Sequence, residues 1–225
     1  MLSKNLVQIA GIADASEAEM IQQCGVKYLG FPLRLAVHGE DISDEQASRI
    51  IRSLQPPVYG VLITYLDSAR EIAELSAACG ARIVQLHGSI GLEELARLKE
   101  SAPQLTIIKS LIVGLQTEAE LEAMVQSFSP TVDGFITDTY DSKTGATGAT
   151  GKTHDWRVSR RLVEISPRPV ILAGGLNPEN VRRAIQVVKP FGVDAHTGVE
   201  DDHGRKCREK VQRFVSEAEI GFGLK

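Results

Sequence analysis

No stretch of this sequence approaches the roughly 20 consecutive apolar residues that a membrane-spanning helix needs. The opening residues, MLSKNLVQIAGIADASE, also lack the long apolar segment and cleavage site of a secretory signal. Positive charge is not in excess, because 25 Lys and Arg stand against 29 Asp and Glu for a formal net charge of −4. That balance gives no electrostatic reason to expect nucleic acid or a membrane surface as a partner. Cysteine is scarce: Cys24, Cys79 and Cys207 are odd in number and far apart. The expectation is reduced structural thiols in the cytoplasm, not a disulfide framework. Cys24 and Cys79 each close a helical pattern just before a glycine, which assigns them to helix packing. His, Cys and carboxylate residues do not occur at metal-ligand spacing, and neither a metal nor another cofactor is expected.

What is present is a chain of 225 residues, 43% apolar and 24% charged, enough for a large core. Short apolar runs alternate with amphipathic helical patterns. Strands are expected at 6–9, 26–31, 58–64, 82–86, 105–109, 134–137, 170–172 and 192–195. Helices are expected at about 16–23, 44–54, 68–78, 92–101, 117–127, 157–164, 178–188 and 206–217, with Ser43 as an N-cap. Eight strand–helix units with continuous apolar strands point to a parallel sheet closed into a (β/α)8 TIM barrel, an α/β fold. No linker or boundary divides the chain, so residues 1–225 are read as one domain. A doubly wound open sheet is the alternative. Its dinucleotide fingerprint is missing, because the first strand is followed by Ala10-Gly11-Ile12-Ala13-Asp14.

In such a barrel the chemistry sits at the C-terminal ends of the strands. The residues that fall there are Gly11, Arg34, Thr64, His87, Lys109, Asp138, Gly174, Gly175, His196, Thr197 and Gly198. The stretch ILAGGLNPENVRRAIQVV, 171–188, organises the rest. Gly174 and Gly175 allow positive φ and close approach of a ligand, Asn177 can cap the helix, and Pro178 suits its first turn. A helix N-terminus behind a glycine turn binds phosphate; the plainer reading is a strand-to-helix connector. The loops after strands seven and eight both carry glycine, and the loop after strand six adds GATGATGKTHDW, rich in backbone N–H groups and hydroxyls.

Four motifs, VQLHG (84–88), TGKTHDW (150–156), LAGGLNPENV (172–181) and GVDAHTGVE (192–200), occur in the order and at about the spacing of one family. Nearly the whole chain resembles phosphoribosylanthranilate isomerase, the tryptophan-biosynthesis barrel. The resemblance implies a (β/α)8 barrel that binds a phosphorylated sugar derivative and performs an Amadori rearrangement without a cofactor. A general acid opens the ribose ring at its ring oxygen. A general base then moves a proton from C2′. The resemblance makes Asp138, in FITDT, the acid. It places phosphate at Gly151, Gly174, Gly175, Thr197 and Gly198. It assigns Gly11, Arg34, His87, Asp194 and His196 to the rest of the substrate.

The chain also departs from that pattern. The family's first strand ends in Lys-x-Cys-Gly, with the cysteine as base; here the residues are Gln8-Ile9-Ala10-Gly11, and Ala10 cannot accept a proton. Arg34 lies near the family's carboxylate-binding arginine but not at its place, which falls on Gly39 or Glu40. The phosphate loop reads Gly148-Ala149-Thr150-Gly151, and His196-Thr197 replaces a double serine. His38, in the altered second loop, is a weak candidate for a replacement base. His154 belongs to the phosphate-loop scaffold, and His203 to a solvated acidic turn. Two expectations follow. One is an isomerase acting on a phosphoribosyl amine with its base relocated. The other is a diverged paralogue that binds or converts a different phosphorylated sugar. The expected partner is a phosphorylated or phosphoribosyl small molecule, and the expected assembly a monomer or homodimer.

Overall fold

The computed structural model describes residues 2–35, 42–141, 146–147, 151 and 153–225. In chain order the elements are β1 (Leu6–Ala10), α1 (Ala15–Gln23), β2 (Tyr28–Leu33), α2 (Asp44–Ser53), β3 (Tyr59–Thr64) and α3 (Ala69–Cys79). They continue with β4 (Ile83–Leu86), α4 (Leu92–Ser101), β5 (Thr106–Val113), α5 (Glu118–Phe128), β6 (Gly134–Asp141) and β7 (Ala146–Thr147). The last are α6 (Trp156–Ile165), β8 (Val170–Leu172), α7 (Val181–Val188), β9 (Gly192–Ala195) and α8 (Arg208–Phe222). Strands β1 to β6, β8 and β9 pair in parallel, each with the next, and β9 returns to β1. The result is a closed (β/α)8 barrel.

Alternation along each strand divides the apolar residues into two cores. Leu6, Ala10, Tyr28, Val61, Ile63, Ile83, Ile108, Ile136, Ile171 and Ala173 fill the barrel. Ile9, Leu29, Leu62, Val84, Ile107, Phe135, Leu172 and Val193 face outward and pack beneath the helices. The helices begin where side chains supply a missing acceptor. Ser43 and Gln46 form a reciprocal capping box at α2, and Thr117 and Glu120 another at α5. The carboxylate of Asp14 accepts from Glu17 N at 2.9 Å to start α1.

Several boundaries differ from the sequence expectation. Strand β6 runs on to Asp141 and pairs antiparallel with β7, so Asp138 lies within a strand instead of at its end. Strand β5 likewise continues past Lys109 to Val113. Helix α7 begins at Val181 because Asn177 caps the turn ahead of it, its Oδ1 accepting from Glu179 N at 2.9 Å and Asn180 N at 3.1 Å. Helix α8 spans Arg208–Phe222, starting and ending later than expected.

Candidate active site

The inward positions near the C-terminal ends of the strands are polar where the layers below are aliphatic. Gln8 on β1 donates from Nε2 to Gln85 Oε1 on β4 at 2.9 Å. That bond fixes the Gln85 amide, whose own Nε2 stands 2.8 Å from His87 Nε2. His87 Nε2 is therefore the acceptor, and its hydrogen lies on Nδ1. Burial, helped by the charge of Lys109, lowers the His87 pKa to about 3, so the ring is neutral. Tyr65 stacks on it with ring centroids 5.5 Å apart.

Asp138 therefore stands beside a neutral ring and not a cation. Its Oδ2 is 3.8 Å from His87 Nε2, and its Oδ1 accepts from Thr139 N at 2.8 Å. Burial raises its pKa to about 7, with the Thr139 bond pulling the other way. Across the floor, Asp194 on β9 pairs in register with Gln8. Its pKa is also raised to about 7, by burial first and then by the charge of Asp138. The Gln8 amide and the Lys206 ammonium beside it act against the shift. Asp194 Oδ1 has no hydrogen-bond partner among the described residues. Two carboxyls that titrate near neutrality in one cavity are suited to proton transfer.

Lys109 does not enter the mouth. Its Nζ donates to the carbonyls of Leu86, Gly88 and Ser110 at 3.3, 3.0 and 3.2 Å, pinning the loop after β4. With only carbonyls around it, burial lowers its pKa to about 8.

Three loops converge beside this floor. A Cβ on Gly198 would stand 1.9 Å from the carbonyl oxygen of Leu176, so the loops after β8 and β9 meet backbone to backbone. A Cβ on Gly174, where φ is +98°, would stand 2.2 Å from Thr139 Oγ1 on β6. The Cβ direction of Gly151 points at Thr197 Oγ1, 3.5 Å away. Thr197–Val199 forms a single 3-10 turn, whose first amides have no acceptor within the turn. Gly174, Gly175, Thr197, Gly198 and Gly151 thus share one backbone-lined corner. The N–H groups of Glu179 and Asn180, in contrast, are already taken by Asn177.

The remaining predicted residues divide. Gly11 and His196 are in contact, with the imidazole lying across the glycine. Arg34, at φ +57°, is exposed and pairs with Asp44 at 2.5 Å, away from Asp138. His154 holds the scaffold, bonded to Thr139 Oγ1 at 3.0 Å and Ser159 Oγ at 2.6 Å. His203 is exposed. His38, Gly39, Glu40, Gly148, Ala149 and Thr150 lie outside the described residues. Among those described, no group of three His, Cys, Asp or Glu is placed to hold a metal ion. No described helix is long and apolar enough to cross a membrane. Sequence reasoning did not find Gln85 or the Glu200–Lys206 pair, whose oxygen and nitrogen are 2.5 Å apart. The signal for Gln85 was a glutamine at an inward position of an otherwise apolar strand. For Lys206 there was none, because its burial depends on contacts made by α1.

The closed barrel, the buried carboxyls near its mouth and the glycine-lined corner define a (β/α)8-barrel protein. The sequence model of the N-(5'phosphoribosyl)anthranilate (PRA) isomerase family matches residues 7–217. The chain belongs to that family. It is 38% identical over 218 residues to N-(5'-phosphoribosyl)anthranilate isomerase 2 of Methanosarcina mazei, covering 96% of this chain and 95% of the relative. It is 32% identical to the isomerase of Haloferax volcanii, covering 96% and 94%. The crystal structure of the Thermotoga maritima isomerase superposes with a TM-score of 0.81 at 30% identity, covering 96% of this chain and 99% of that one. A second isomerase structure, in complex with reduced 1-(o-carboxyphenylamino)-1-deoxyribulose 5-phosphate, has a TM-score of 0.77 at 28% identity and the same coverage.

Proposed function

We propose that this chain isomerises N-(5'-phosphoribosyl)anthranilate to 1-(o-carboxyphenylamino)-1-deoxyribulose 5-phosphate, a step of tryptophan biosynthesis in the cytoplasm. The observation that carries the reading is Asp138, a buried carboxyl with a pKa of about 7 beside a neutral histidine. Such a group still holds a proton near neutral pH and can deliver it to the ribose ring oxygen. The corner formed by Gly151, Gly174, Gly175, Thr197 and Gly198 takes the 5′-phosphate. Gly11, His87, Asp194 and His196 line the sugar. Arg34, which pairs with Asp44 through one guanidinium nitrogen, is assigned to a substrate carboxylate. We read residues 1–225 as one domain, acting as a monomer or homodimer and needing no cofactor.

A second reading rests on Ala10, whose methyl group stands where the resemblance puts a catalytic thiol. On that reading the chain keeps the phosphate corner and binds or converts another phosphorylated sugar. A steady-state fluorescence assay with N-(5'-phosphoribosyl)anthranilate, together with complementation of a tryptophan auxotroph lacking the isomerase, decides between them. Turnover and growth are expected. Thermal stabilisation by other phosphorylated sugars, without turnover of the anthranilate compound, would establish the second reading.

A further inference from the structure

The inward end of β1 carries Gln8 and Ala10, followed by Gly11, and none of these can take a proton from carbon. An isomerase acting at C2′ needs another acceptor in the cavity. His87 Nε2 already faces the Gln85 amide at 2.8 Å, and the ring is a weak base. Lys109 Nζ is bonded to three carbonyls. His196 Nε2 faces Glu200 Oε1 at 3.4 Å. Asp138 is committed as the acid. The other buried carboxyl of the cavity is Asp194, on the strand next to β1.

Inward side chains of such a barrel stack in layers of four, drawn from alternate strands. The strand registers set Asp194 level with Gly30, Gln85 and Ile136. The next layer towards the mouth holds Ala10, Ile63, Ser110 and Ala173. Ala10 and Ala173 stand on the two strands that flank β9, and each offers a methyl group alone. Ser110 is hardly larger, so Ile63 is the one bulky residue between Asp194 and the mouth. Asp194 Oδ1, Ser110 Oγ and His87 Nδ1 are all buried without a hydrogen-bond partner among the described residues. Unpaired polar atoms inside a barrel mark a place for a polar ligand. From the side away from the mouth, the Gln8 amide steadies the Asp194 carboxylate and is itself held by Gln85 at 2.9 Å. Asp194 is thus fixed from below and open above.

We propose that Asp194 is the general base that removes the C2′ proton, a role that rests on the isomerase reading above. Asp138 and Asp194 oppose each other's ionisation, so the pair loses its protons in two steps and between them holds one proton and one charge. The Gln8 amide and the buried Lys206 ammonium favour that charge on Asp194. The proton then lies on Asp138, where the ring oxygen needs it.

The steps balance without a co-reactant. Asp138 gives its proton to the ribose ring oxygen as the C1′–O bond breaks, and the anthranilate nitrogen pair forms C1′=N. The Asp194 carboxylate takes the C2′ proton. The C2′–H electron pair becomes C1′=C2′, and the C1′=N pair returns to nitrogen. The Asp194 carboxyl then gives a proton to C1′ while the C2′ hydroxyl loses its own to form the ketone. That last proton restores Asp138, and Asp194 is again a carboxylate.

The test uses the full chain and N-(5'-phosphoribosyl)anthranilate carrying hydrogen or deuterium at C2′. Asp194→Asn is expected to lower kcat by about 10²–10⁴ with KM changed only a few-fold. Its C2′ deuterium isotope effect on kcat should rise above that of the unmodified enzyme, because without the base C–H cleavage becomes the slow step. Asp138→Asn slows ring opening instead and should move the isotope effect towards unity. Single turnovers with enzyme in excess keep both slow variants measurable. Circular dichroism and Tm identify a variant that has not folded, in which case Asp194→Ser takes its place. If Asp194→Asn keeps kcat within about three-fold, raises KM alone, or exchanges isotope effects with Asp138→Asn, the assignment of Asp194 as base is overturned while the isomerase reading stands. An unmodified chain without turnover overturns both.

Discussion

Asp138 titrates at about 7, where an exposed aspartate titrates at 3.8. Between those values the folded chain holds a proton that the unfolded chain has lost, so stability falls as pH rises through the interval. Above it the native state carries a buried charge. Asp138→Asn should therefore lower kcat by about 10²–10⁴ and yet raise Tm relative to the unmodified protein at pH 8, with a smaller gain at pH 4.5. Stopped assays and calorimetry at the two pH values measure both. The catalytic rate of the unmodified protein should decline above pH 7 as the acid is lost. The identity of this carboxyl was legible in FITDT, because its neighbours fix the alignment. Its protonation was not, because burial depends on strands distant in sequence closing around it, with His87 arriving from the end of β4. Ala10 shows the converse: the sequence revealed the missing thiol at once, but only the pairing of β1 with β9 reveals what stands beside it.

At the scale of elements, the loops matter more than the helices that follow them. The sequence pointed to the N-terminus of the helix after the glycine pair as the anion site. In the structure Asn177 takes the N–H groups of Glu179 and Asn180, while Gly174, Gly175 and the start of the Thr197–Val199 turn line the neighbouring corner. Side-chain capping of a preceding turn cannot be told from capping of the helix itself by spacing alone. The extension of β6 into a hairpin with β7 was equally hidden, because glycine and threonine there resemble an irregular loop. Gly198→Ala tests the corner directly. Its methyl group would meet the Leu176 carbonyl at 1.9 Å, forcing the two loops apart. Inorganic phosphate binding, followed by calorimetry, should weaken at least about ten-fold, since a shift of about 1 Å in a binding loop suffices for that.

For the molecule as a whole, the eight-fold alternation of apolar strands and amphipathic helices was enough to give the architecture. The barrel strands are buried on both faces, and the inward and outward residues form separate cores. Closure was less visible, because it rests on β9 returning to β1 and on α8 packing against α1 and α7. Phe214 on α8 is fully buried in the outer core. Phe214→Ala should cost about 3–5 kcal/mol of folding stability, read by urea denaturation, without moving a catalytic group.

The floor joining Gln8, Gln85 and His87 carries no formal charge, and the two carboxyls flanking it are poised between their neutral and ionised forms. An arriving phosphoester brings negative charge to that cavity and favours the neutral forms further. Ligand capture should then draw protons from the medium. Calorimetric titrations at pH 7.5 in buffers of unequal ionisation enthalpy would show a heat that varies with the buffer, and an affinity that weakens towards alkaline pH. Asp138→Asn should diminish both effects. Recognition of the substrate and arming of the acid would in that case be one thermodynamic event.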